Sequence, residues 1–102
     1  MEKRRVVVTG MGVISPAGND VATFWQNLIE GKSGVRPIER FDVSQYPTRI
    51  AAQVLDFNPV DYLNRKDARR MDRFVQFACA AARMALEDSG LKVSPENASK
   101  IG

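Results

Sequence analysis

The 102-residue sequence contains no histidine and a single cysteine, Cys79. Those absences exclude a disulfide framework, a Cys/His zinc site and any Ser–His or Cys–His catalytic pair within this chain. No metal site or cofactor is expected. Long apolar runs are missing as well. The opening MEKRRVVVTG is basic but holds only three consecutive valines before Thr9-Gly10. That is too short for a secretory signal, and nothing elsewhere approaches a membrane span. A reducing cytoplasm is the expected location, with no membrane partner. Net charge is only +3, which alone argues for no partner. With 44% apolar and 26% charged residues and no internal repeat, residues 1–102 read as one unit without an internal boundary.

What the sequence does hold is an unusually apolar helix. Residues 73–89 predict a rod of roughly 25 Å, with Asp72 as cap, Met71 as staple and Gly90 as left-handed stop. Past Arg73, only Gln76, Arg83, Glu87, Asp88 and Ser89 are polar. A surface helix carries one apolar stripe, whereas one apolar nearly all round is expected to be covered on several sides. A chain of this length has few elements left to cover it. The sequence is therefore expected to be an incomplete part of a larger layered molecule.

Upstream, residues 5–9 (RVVVT) predict a short buried parallel strand. It runs into Gly10-Met11-Gly12, which invites a dinucleotide-binding reading. Against that, the third glycine of the motif would fall at Ser15, Pro16 follows, and the residue twenty positions on, Glu30, ends a helix. The glycines are read instead as permitting a tight, buried turn. Asn19 or Asp20 caps a helix over 21–30 that Gly31 ends. Gly31-Lys32-Ser33 is not a phosphate loop, because it follows a helix end, where carbonyls rather than N–H groups are free. Residues 35–48, with Pro37 and Pro47, predict a loop anchored by Phe41 and Tyr46. A weak strand is expected at 50–55. Short capped turns are expected after Asn58 and Asn64 and over 94–97, and a further strand at 100–102. This is an α/β order.

Between the elements lies a basic cluster: Arg65, Lys66, Arg69, Arg70 and Arg73, offset only by Asp67 and Asp72. At helical spacing these five share one side. One reading is a solvated face, with Asp67 pairing to Arg70 for little gain. The other is a dock for an acidic or phosphorylated partner, gripped by guanidinium forks. Nucleic acid is disfavoured, since no aromatic residues are interleaved for base stacking.

RRVVVTGMGVISPAG at 4–18, Phe41-Asp42, and RKDARRMDRFVQFACAAARMALEDSGL at 65–91 together resemble the start of the β-ketoacyl-acyl carrier protein synthases, most closely their elongating type II members in bacterial fatty acid synthesis. The resemblance covers the whole chain, about the first quarter of the family's length. It implies a thiolase-like layered fold (helix, sheet, helix, sheet, helix), with the 73–89 helix in the middle layer. It implies an acyltransferase that condenses a cysteine-bound acyl group with malonyl-acyl carrier protein, using a cysteine and two histidines. It also implies a homodimer. None of those catalytic groups is in this chain, and Cys79 at mid-helix reads as an inert core thiol. The resemblance carries over only a docking surface: Lys66, Arg69 and Arg70, with Arg65 at the rim, facing an acidic acyl carrier protein. The alternative is a non-catalytic, carrier-binding ketosynthase-like subunit of a polyketide system. An independent nucleotide-binding domain is a third, weaker reading.

Overall fold

The computed structural model describes residues 2–102. Helix α1 spans Val21–Ile29. Asp20 starts it by accepting the Thr23 N–H at 2.7 Å and the Thr23 hydroxyl at 3.0 Å. Gly31, at φ +68°, turns the chain away after it. Two short strands follow, β1 at Val35–Pro37 and β2 at Ile50–Ala52. They pair antiparallel, with Val35 opposite Ala52 and Pro37 opposite Ile50. The expected loop over 35–48 thus begins with a strand, and the strand expected at 50–55 stops at Ala52. Three residues including a proline offer no alternation to read, and only the non-local partner makes β1 a strand. Phe41 and Tyr46 meet edge to face at 6.0 Å, yet both stay exposed. They anchor each other, not a core.

A 3-10 turn at Pro59–Asp61 begins at Asn58, and the four-residue helix α2 at Arg65–Ala68 begins at Asn64. Helix α3 spans Arg73–Ser89, the bounds expected from sequence, and stops at Gly90 with φ +70°. Asp72 occupies the cap position, but its side chain makes no capping bond. Residues 95–97 form a turn leading into a 3-10 turn at Ala98–Lys100, and no strand forms at 100–102 among the described residues.

The segment 10–12 lies directly on the second half of α3. A Cβ on Gly10 would fall 2.2 Å from the Ala85 carbonyl oxygen, and one on Gly12 2.0 Å from that of Ala81. The Met11 N–H donates to Asp88 Oδ2 at 3.0 Å. These glycines serve close backbone approach; neither has positive φ. From the same half of α3, Arg83 reaches the Tyr62 carbonyl and pairs with Glu87 at 3.1 Å, fixing the 3-10 turn against the helix.

Within this chain, α3 is not covered on nearly every side. Ala80 is fully buried, but Phe74, Ala78, Ala82 and Leu86, spaced four apart, form an exposed apolar edge, with Phe74 71% exposed. The strand expected at 5–9 is likewise absent: no ladder pairs it among the described residues, and Val6 is 93% exposed. Both departures have one cause, the lack of neighbours. Among the described residues the buried hydrophobic side chains are Phe57, Ala68 and Ala80. Accessible surface is 8525 Å², against about 5,700 Å² for a folded monomer of this mass. The radius of gyration is 17.7 Å, against about 13 Å for a compact domain of this length. Helices and strands are both present, but among the described residues the one sheet is antiparallel and two-stranded, and no layered sandwich forms. No helix of the described residues is long and apolar enough to cross a membrane.

Candidate functional site

The basic turn is built from the inside out. Asn64 starts α2 by accepting the Asp67 N–H at 2.8 Å, and its own amide donates to Asp67 Oδ2 at 2.7 Å. Ala68 is the buried foot of the helix. With that foot fixed, Arg65, Lys66, Arg69 and Arg70 all face solvent. Among the described residues none of the four is in an ion pair; the pairs present are Lys32–Glu30 and Arg83–Glu87. The expected Asp67–Arg70 pair does not form, because Asn64 already holds the Asp67 carboxylate. Four un-neutralised cations on two adjacent turns make a surface suited to a polyanionic partner.

Arg73 leaves the group that its spacing assigned it to. Its Nη2 donates to the Val54 carbonyl at 2.7 Å, and its guanidinium stands 5.0 Å from the Phe77 ring and 5.6 Å from Phe57. Its Nε is buried without a partner among the described residues. Phe57 stacks on Tyr62 at 5.6 Å and meets Phe77 edge-on at 4.9 Å. Arg73 thus helps build an aromatic base near the exposed cations instead of joining them. Neither the Val54 carbonyl nor the rings are visible in helical spacing, so no sequence signal would have separated Arg73 from its neighbours.

Elsewhere the chemistry is sparse. Cys79 is a half-buried free thiol, less enclosed than a core residue would be. Lys32 and Gln26 hold the Glu30 carboxyl below its ordinary range, and the Ser44 N–H does the same for Asp42. An apolar groove of about 880 Å³ opens between residues 10–13 and α1, with Phe24, Trp25 and Ala85 in its walls. No local pattern marks this groove, because its walls come from residues 10–13, α1 and Ala85, which are far apart in sequence. The Gly-x-Gly turn does not hold a pyrophosphate. Its glycines are pressed on helix carbonyls and the Met11 N–H faces a carboxylate, where a phosphate would be repelled.

The family model described as "Beta-ketoacyl synthase, N-terminal domain" matches residues 3–102. The chain belongs to the β-ketoacyl synthase family. It is 58% identical over its whole length to 3-oxoacyl-[acyl-carrier-protein] synthase 2 of Coxiella burnetii, and 53% identical to the protein of that name from Vibrio cholerae. It spans about a quarter of the length of these curated relatives. Among solved structures, the ishigamide ketosynthase/chain length factor superposes with a TM-score of 0.81 at 44% identity, over 89% of this chain and 23% of that one. A second structure, a type II PKS acyl-carrier protein in complex with its ketosynthase, gives 0.65 at 31% identity, over 91% and 24%. The open α3 edge and the unpaired 5–9 segment are thus features of a ketosynthase N-terminal stretch considered by itself.

Proposed function

We propose that the chain is the N-terminal part of a condensing enzyme of fatty acid elongation and contributes its dock for acyl carrier protein. The parent joins a cysteine-bound acyl group to malonyl-acyl carrier protein. Carbon dioxide leaves the malonyl group, the new carbon–carbon bond replaces the acyl–sulfur bond to the cysteine, whose thiol is freed, and the product is a β-ketoacyl thioester two carbons longer. The cysteine and histidines for those steps lie outside this sequence, so residues 1–102 alone are inactive. In the same reading the parent is a cytoplasmic homodimer with the layered thiolase-like fold.

The observation that carries the proposal is the set of four exposed cations with no ion-pair partner among the described residues: Lys66, Arg69 and Arg70, with Arg65 at the rim. The relatives named 3-oxoacyl-[acyl-carrier-protein] synthase 2 and the solved ketosynthase–carrier complex support an acyl carrier protein as the partner. Reversing Arg69 and Arg70 to Glu in the full-length protein should raise KM for carrier-linked malonate about tenfold or more. The difference from wild type should shrink as salt rises. A flat KM with falling turnover would remove the docking assignment.

The likeness to a ketosynthase/chain length factor structure favours a second reading, a carrier-binding subunit that performs no condensation. Radiolabelled acyl transfer to a cysteine of the full-length protein separates the two: label retained after denaturation supports the enzyme, none the subunit.

A further inference from the structure

We propose that Gln76 is a positioning residue for the Arg69–Arg70 turn, an inference that rests on the carrier-docking reading. Gln76 stands one turn into α3, across from the end of α2. Its Nε2 donates to the Ala68 carbonyl at 3.0 Å and has a longer 3.5 Å contact with the Met71 carbonyl. Ala68 and Met71 bracket Arg69 and Arg70 on either side. The Ala68 carbonyl also accepts the Met71 N–H at 3.2 Å, so the turn is closed by its own backbone and clamped from outside by one carboxamide. Two carbonyl oxygens facing the group require the donor nitrogen on that side, which fixes the amide orientation.

The clamp is needed because α2 is only four residues long and too short to hold its own end. Arg69 and Arg70 have no side-chain partner of their own among the described residues to fix them. Their backbone therefore decides where two guanidinium groups are offered. Ordering them in advance spares a docking partner that entropy. Gln76 is half-buried and its side-chain hydrogen bonds go to the Ala68 and Met71 carbonyls, so its role in docking runs through the arginines and not through contact of its own.

The test is steady-state kinetics of the full-length protein with Gln76→Met, which keeps length and apolar volume but removes both donors. KM for malonyl-acyl carrier protein should rise about fivefold, the scale of one or two lost hydrogen bonds. KM for malonyl-coenzyme A, which offers the same arm without a protein, should move by less than about twofold on the same account. The salt dependence should stay as in wild type, since no charge is removed. In an Arg69→Ala/Arg70→Ala background, Gln76→Met should add nothing, because the groups it positions are gone. Gln76→Glu sets a carboxylate against the two carbonyls and should reproduce the KM rise if the Met variant does not fold. Equal losses with both malonyl donors would reduce Gln76 to a general structural role and overturn the inference. An unchanged carrier KM would also overturn it, and if Arg69→Glu and Arg70→Glu still raise KM, the docking surface survives without the clamp. If the arginine reversals are silent too, the docking reading falls and takes the clamp with it.

Discussion

At Gly12 an added Cβ would sit 2.0 Å from the Ala81 carbonyl oxygen, whereas at Gly31 it would meet nothing within 4 Å. The obstruction at Gly12 is helix backbone, which cannot rotate aside as a side chain can. Gly31 instead needs its left-handed φ of +68°. Gly12→Ala is expected to cost about 3 kcal/mol by forcing segment and helix apart. Gly31→Ala should cost about 1 kcal/mol through backbone strain alone. Thermal melts of the two full-length variants check the order, and a Gly12→Ala protein as stable as Gly31→Ala would contradict the packing described here. Sequence gave reason to keep these glycines out of a nucleotide site, through the missing third glycine and Pro16. It could not supply the reason they are there, because that reason is Ala81, Ala85 and Asp88, more than sixty positions away.

Elements were legible where their signals are local. Asp20, Asn58, Asn64, Gly31 and Gly90 each act within a few residues, and the starts and stops they predict are found. Pairing is not local, so sequence alone predicts a loop where β1 forms and a strand at residues 5–9 that is not found among the described residues. The exposed cations were legible by position in α2, but the separation of Arg73 depends on distant Val54, Phe57 and Phe77. Asn64 links the two kinds of information, since it starts α2 and also occupies the Asp67 carboxylate. Asn64→Ala should cost about 1 kcal/mol of stability. It should also release that carboxylate beside Arg70 and weaken carrier binding. Calorimetry of the full-length variant against the carrier measures this, and unchanged affinity would show that Asp67 stays away from the arginines.

For the whole molecule, the decisive quantity is surface. An accessible area of 8525 Å² with three buried hydrophobic side chains among the described residues leaves little to drive cooperative folding. Residues 1–102 produced alone are expected to bind a hydrophobic dye strongly and to melt without a sharp transition. A monomer with a steep, reversible melt would contradict this. The layering expected from sequence is not seen among the described residues. The helix that should have been wrapped is bare on one edge, and its bareness is matched by the unpaired valines at 6–8.

That bare edge has a practical result for anyone engineering the stretch in isolation. A screen that rewards bright, well-expressed colonies would select Phe74→Glu or Leu86→Lys, since both side chains face water here. Grafted back into a complete ketosynthase, the same winners are expected to be the losers if the bare edge meets an apolar neighbour there, and thermal melts of the full-length variants would show it.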